Sequence, residues 1–221
     1  MNIQTKAESL YVETPLWESR ALSQVMGAPV WLKMEAFQPT GSFKARGMGY
    51  ACRASWDAGA RRLVCASGGN AGYAVAYAGN RLGMPTTIVL PKTTPARLRD
   101  LIARENAQVI AHGDSWDDAH AFATRLAHDQ DAAYIHPFDD PRVWRGHATI
   151  IREIADAGIK PGAVVLSVGG GGLMIGVLQG LHEIGWEDVP LIAVETEGTA
   201  SFANSVQAGK LITLDKIASI A

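Results

Sequence analysis

Short apolar runs alternate with amphipathic, helix-length stretches along most of the chain. Leu63-Val64-Cys65-Ala66, Thr86-Thr87-Ile88-Val89-Leu90, Val109-Ile110-Ala111 and Ala133-Tyr134-Ile135 read as strands, preceded in turn by helices over 45–57, 70–82, 95–105 and 115–128. Gly83 and Pro85 end the second of these helices. Short apolar strands separated by helices imply parallel pairing through crossover connections. A second block begins near Pro141: a helix over 143–157 stops at Gly158, residues 163–168 read as a strongly buried strand, four glycines lead into a helix over 173–184, and Leu191-Ile192-Ala193-Val194 precedes a helix over 199–208. Ahead of both blocks, 17–26 reads as a helix that Gly27 and Pro29 separate from an extended piece over 30–34.

The expected fold class is therefore α/β, with two open parallel-sheet domains. The boundary falls between His136-Pro137 and Pro141, giving a smaller domain over 36–140 and a larger one from 1–35 and 141–221. The closing run Lys216-Ile217-Ala218-Ser219-Ile220-Ala221 is apolar and lacks a polar tail, so the larger domain is expected to be incomplete at its C-terminal part.

Composition narrows the function classes. With 221 residues and 48% hydrophobic side chains the chain can bury a sizeable core. A net charge of −2 with mixed signs offers no basic field for nucleic acid and no polybasic membrane anchor. Lys6, Glu8 and Glu13 interrupt the N-terminus where a signal peptide would be apolar, and no later run approaches a membrane span. Cys52 and Cys65 sit in apolar surroundings and read as reduced core thiols, which suits a cytoplasmic protein.

Three stretches carry candidate chemistry. In Pro39-Thr40-Gly41-Ser42-Phe43-Lys44, a lysine beside an aromatic would be partly desolvated, which lowers an amine's pKa and makes it a better nucleophile or base. The same stretch also reads as a helix start with Ser42 as N-cap. Gly169-Gly170-Gly171-Gly172 follows a strand and opens a helix, where bare backbone and free N–H groups can hold a phosphate. Glu195 ends the next strand, as a ribose-binding acid would, but the glycines do not fit the Gly-x-Gly-x-x-Gly spacing of a dinucleotide site. Ser67-Gly68-Gly69-Asn70-Ala71 forms a third strand-to-helix turn suited either to a carboxylate or to plain helix capping.

Other polar clusters are weaker. His112, His120, His128 and His136 are spaced by eight but fall on different elements, so no metal site is expected from them. His147 reads as a packed histidine and Asp139-Asp140, ahead of Pro141, as turn and helix-cap chemistry. Phe138 is a candidate wall of the substrate pocket, and the scattered tryptophans form no stacking platform.

Taken in series, Gly-Ser-Phe-Lys at 41–44, Ser-Gly-Gly-Asn-Ala at 67–71 and Ser-Val-Gly-Gly-Gly-Gly-Leu at 167–173 resemble the fold-type II pyridoxal-phosphate enzymes, of tryptophan synthase beta-like fold, and most closely their serine/threonine dehydratase branch. The resemblance extends through Thr93-Thr94-Pro95, Pro137-Phe138-Asp139-Asp140-Pro141, Trp144-x-Gly146-His147-Ala148 and Val194-Glu195-Thr196. It implies pyridoxal 5'-phosphate as cofactor, with Lys44 bonded to its aldehyde carbon and Phe43 against its ring. Asn70 would bond the ring oxygen, and Gly169, Gly170, Gly171, Gly172 and the Leu173 amide would hold the phosphate. Ser67, Gly68, Asn70, Ala71 and the intervening amides would hold the substrate carboxylate. Lys44 would then take the Cα proton, and loss of the β-hydroxyl would lead to a 2-oxo acid and ammonia.

The resemblance implies further that 36–140 closes over the substrate, that the protein is a homodimer, and that Glu195 is one ligand of a monovalent or divalent cation. A solvated strand-end acid is the alternative for Glu195. Racemases of this fold place a serine at the position of Gly68, so the glycine favours a dehydratase over a racemase, and a serine there is expected to raise racemisation. Family members continue past Ala221, which leaves a non-catalytic cofactor-binding or interaction module as an alternative function. Serine and threonine differ here by one methyl, and the sequence does not choose between them.

Overall fold

The computed structural model describes residues 9–214 and 217–219. Lys6 and Glu8, used above against a leader, and Lys216, Ile220 and Ala221 of the closing run lie outside the described residues. The elements run β1 (Leu16–Glu18), α1 (Arg20–Met26), β2 (Trp31–Lys33), a 3-10 turn (Glu35–Phe37), α2 (Lys44–Asp57), β3 (Leu63–Ala66), α3 (Asn70–Leu82), β4 (Thr86–Leu90), α4 (Ala96–Ala103) and β5 (Gln108–Ala111). They continue with α5 (Trp116–Asp129), β6 (Ala133–Tyr134), α6 (Pro141–Asp156), β7 (Val164–Ser167), α7 (Gly172–Glu183), β8 (Leu191–Val194) and α8 (Ser201–Ala208).

The first expected helix is split. Trp17 and Glu18 pair antiparallel with Leu32 and Trp31, and α1 starts only after Ser19, whose Oγ accepts from Leu22 N at 3.4 Å. The N-cap bond fixes the start, and Gly27 at φ 64 ends the helix. Further along, Ser115 and Asp118 form a reciprocal capping box on α5, and Asp140 caps α6 with Pro141 in its first turn.

The central sheet is parallel, in the order β5-β4-β3-β6. Every residue of β3 and β4 is buried, and alternate side chains go to opposite faces. Leu63, Cys65, Ile88 and Leu90 join a cluster with α2 and α3, whereas Val64, Ala66 and Val89 meet Ala119, Ala123 and Ala127 of α5. Burial on both faces is why these strands read as continuous apolar runs. A separate parallel pair, β7-β8, packs Val164, Leu166 and Leu191 with Ile151 and Ile154 of α6 and Val177 and Leu181 of α7. The expectation of a strongly buried β7 is corrected here: Val165 is 64% exposed, with Ile192 at 50% and Val194 at 48% beside it. Among the described residues only one face of this pair is covered.

Two features lock α2 in place. The fully buried Arg46 guanidinium binds Glu35 at 2.8 Å and Glu153 at 2.5 Å, and Lys33 reaches the other oxygen of Glu153 at 2.5 Å. That network ties the start of α2 to β2, the 3-10 turn and α6. The helices also touch backbone to backbone, since a Cβ at Gly146 would lie 2.5 Å from the Arg46 carbonyl oxygen. No helix among the described residues is long and apolar enough to cross a membrane.

Candidate active site

Lys44 is the first residue of α2. Its N-cap is Phe43 with no side-chain capping bond, and Ser42 Oγ is buried without a hydrogen-bond partner, so the plain-cap reading of Ser42 is not what the chain does. Lys44 Nζ donates to the Pro137 carbonyl at 2.6 Å and lies 5.4 Å from the Phe43 ring centroid. Desolvation lowers the amine's pKa to about 8, against the smaller opposing influence of Cys65. Burial pushes the Cys65 thiol up to about 12, so at neutral pH it stays uncharged and does little to restore the lysine's positive charge. The sequence-predicted amine is therefore held by one carbonyl and is partly deprotonated near neutrality.

The carbonyl belongs to the segment that meets the glycine turn. A Cβ at Gly170 would lie 2.3 Å from Phe138 Cγ, and one at Gly172 would lie 2.6 Å from the Phe138 carbonyl oxygen. The Phe138 carbonyl also accepts from Trp144 Nε1 at 2.7 Å. Residues 137 and 138 thus connect Lys44 to the turn, which lies across the expected boundary near Pro141. Gly169 and Gly171 have open space where a side chain would project, and Gly171 adopts φ +81. No side chain caps α7, which leaves the N–H groups of its first turn, Leu173 included, available to an anion. The turn fits a phosphate as it stands.

The third turn sits at the start of α3. Ser67 Oγ accepts from Gly69 N at 3.3 Å, Asn70 is exposed and Ala71 buried, and α3 too lacks a side-chain cap. Gly68 faces Thr94, which the resemblance through Thr93-Thr94-Pro95 singled out without a role: a Cβ at Gly68 would lie 2.4 Å from Thr94 Oγ1 and 2.7 Å from Thr94 Cγ2. Trp116 Nε1 donates to the Ala66 carbonyl at 2.9 Å and its ring lies 5.7 Å from Phe138, joining this turn to the 137–138 segment.

Behind Phe43, at 5.1 Å and edge-on, lies His147. It is fully buried with both ring nitrogens unpartnered, and burial, then Lys44 and Arg46, push its pKa down to about 3. It is a packed neutral histidine, as its sequence context suggested. Glu195 is engaged elsewhere: its carboxylate accepts from Phe202 N at 3.0 Å and Ala203 N at 2.7 Å at the start of α8. Among the described residues no group of three His, Cys, Asp or Glu side chains comes together to hold a metal ion.

A lysine at a helix start, held opposite an uncapped glycine turn beside a parallel sheet, suits an enzyme that binds a phosphorylated aldehyde. Residues 7–221 match the family model described as pyridoxal-phosphate dependent enzyme, and the chain belongs to that family. It is 51% identical over 216 residues to the L-serine dehydratase/L-threonine deaminase of Mus musculus, covering 97% of this chain and 66% of that protein's length. A fungal L-serine ammonia-lyase from Rhizomucor miehei superposes with a TM-score of 0.89 at 39% identity, over 97% of this chain and 69% of that one. Maize serine racemase also superposes at 0.89, at 27% identity over 95% of this chain and 64% of that one.

Proposed function

We propose that this chain carries the site of a pyridoxal-phosphate dependent lyase that converts L-serine or L-threonine to the 2-oxo acid and ammonia. The observation that carries the reading is the desolvated Lys44 amine, hydrogen-bonded at 2.6 Å to the carbonyl of the segment that seats Phe138 on the glycine turn. The likeness to serine dehydratases at about half identity supports it.

Gly169 to Gly172 and the Leu173 amide would hold the phosphate, Phe43 and Asn70 the ring, and Lys44 the aldehyde carbon. When bound, the cofactor supplies a sink for the electron pair left at the substrate's Cα. Ser67, Gly68, Asn70 and Ala71, at the uncapped start of α3, would orient the substrate carboxylate, with Phe138 as a wall of the pocket. Lys44, with a pKa of about 8, has a substantial neutral fraction at physiological pH and so can accept the Cα proton. The β-hydroxyl leaves as water, and water taken up later releases ammonia, so substrate and products balance.

Gly68 disfavours the racemase alternative. It has no side chain to carry a proton, and the Thr94 side chain occupies the space a larger residue would need. Free, buried Cys52 and Cys65 accord with a reducing, cytoplasmic setting. A homodimer, testable by light scattering, belongs to the same reading. Among the described residues Glu195 belongs to no group of three His, Cys, Asp or Glu side chains, and a cation is not part of the proposal. The test is 2-oxo acid release from L-serine and L-threonine by the purified chain with pyridoxal phosphate, compared with Lys44→Ala. Release that requires Lys44 supports the lyase; a Lys44-dependent absorbance band without release would leave a cofactor-binding module instead.

A further inference from the structure

The carbonyl that holds Lys44 sits in the segment between the end of β6 and the cap of α6. Trp144 holds the Phe138 carbonyl and the glycine turn seats its ring, while the amides of 138 and 139 are held by His136. Its Nδ1 accepts from two backbone donors, Asp139 N at 2.8 Å and Phe138 N at 3.3 Å. Two N–H groups aimed at one ring nitrogen require a lone pair there, so the imidazole is neutral with its proton on Nε2. The ring is wedged nearly perpendicular to Phe138 at 4.6 Å, His120 at 5.4 Å, Trp116 at 5.9 Å and Tyr134 at 6.1 Å. His120 Nδ1 is in turn 2.6 Å from the Tyr134 hydroxyl.

We infer that His136 is a positioning residue for the Lys44 amine: its unprotonated Nδ1 pins the backbone of 138 and 139 and so sets the Pro137 carbonyl that Lys44 donates to. The inference rests on Lys44 being the working amine. Every charged or titratable group around the ring bears on its protonation. His120 from α5 and Lys44 from α2 disfavour a positive charge, Asp139 and Asp140 on its own segment favour it, and the Tyr134 hydroxyl from β6 is kept neutral by burial. The balance, led by desolvation, holds the imidazole below the ordinary histidine pKa. Acid that protonates Nδ1 removes both acceptor bonds at once and loosens the 138 and 139 amides, leaving the segment to the Trp144 bond and the contact of Phe138 with the glycine turn.

The test uses the chain without cofactor, so its outcome does not depend on whether the lyase proposal holds. Reductive methylation with formaldehyde, read by mass spectrometry at Lys44 across pH, gives the amine's titration midpoint, and hydrogen exchange gives the protection of amides 138 and 139. In the unsubstituted chain at acid pH, and in His136→Leu at every pH, the protection factors of those amides, taken relative to the intrinsic exchange rate at the same pH, should be about five- to tenfold lower, as expected for losing a net-stabilising hydrogen bond. In His136→Leu the Lys44 midpoint should also rise from about 8 towards the ordinary 10.5, because hydration of the loosened segment relieves the desolvation that lowers it. His136→Asn, whose amide oxygen can accept in place of Nδ1 and does not titrate, should keep the midpoint and the protection across the acid range. Unchanged midpoint and exchange in His136→Leu would overturn the inference, as would faster exchange with no movement of Lys44. Should His136→Leu not fold, the unsubstituted chain against His136→Asn decides: acid-labile protection in the first alone supports it, and identical profiles overturn it.

Discussion

Gly170→Ala is the sharpest perturbation of the proposed phosphate turn, because the turn and the Phe138 ring are in contact only while position 170 is bare. An added Cβ would lie 2.3 Å from Phe138 Cγ and 2.5 Å from both Cδ atoms. Carbon atoms rest at about 3.5–4.0 Å, so the ring must retreat by roughly 1 Å or more. It has little freedom to do so, since His136 meets it at 4.6 Å and Trp116 at 5.7 Å. Overpacking of this kind costs about 1–3 kcal/mol, and each kcal/mol lowers the melting temperature of a chain of this length by about 2–4 °C. Gly169→Ala is the internal control, with nothing within 4 Å of its added Cβ. It should be neutral, or stabilising by a few tenths to about 1 kcal/mol through the unfolded state. The assay is thermal unfolding of the chain without cofactor, followed by pyridoxal phosphate titration. The reasoning is refuted if the two variants melt alike, or if Gly169→Ala is the less stable one.

Three further outcomes are expected. Arg46→Met should destabilise by about 3–5 kcal/mol in urea unfolding, because it removes the guanidinium that Glu35 and Glu153 share, leaving Glu35 to neutral donors and Glu153 to Lys33 and the Thr14 amide. Hydrogen bonds from Arg46 and Lys33 outweigh burial and hold the Glu153 carboxyl below its ordinary 4.5, so the stability it contributes is present above that pH and is lost as pH falls further. His147→Leu should flatten the acid limb of stability: the unfolded histidine binds a proton near 6.5 and the buried one only near 3, so this residue weakens the fold progressively as pH drops below 6.5. Gly68→Ser, expected by resemblance to raise racemisation, should do so poorly alone, since the β-branched Thr94 cannot swing clear. Gly68→Ser with Thr94→Gly should give the larger D-isomer yield by chiral chromatography, and equal yields would contradict the assigned contact.

The parts of this molecule that show in its sequence are those set by local period. β3 and β4 read correctly because both of their faces are buried, and the start of α6 because Asp140 and Pro141 mark it, while the Ser115–Asp118 capping box that starts α5 shows only in the structure. β1 was hidden because three residues carry no period, and only pairing with Trp31–Lys33 makes them a strand. β7 looked like β3 but is covered on one face among the described residues, and an apolar run does not reveal how many neighbours it has. The same limit applies at the site. Lys44, Phe138 and the glycine turn stood out as residue types, whereas the Pro137 acceptor is a backbone carbonyl without a sequence signature. Thr94 and His136 matter through contacts made across the fold, at Gly68 and at the 138–139 amides, which no spacing announces.

Which amine meets the cofactor decides whether Lys44 is the working residue of this site. Incubating the chain with pyridoxal phosphate, reducing with borohydride and mapping the added mass by peptide mass spectrometry answers that directly. The cofactor's mass should appear on Lys44 and disappear in Lys44→Ala. Its appearance on surface lysines alone, or unaltered labelling of the Lys44→Ala chain, would contradict the assignment of this site.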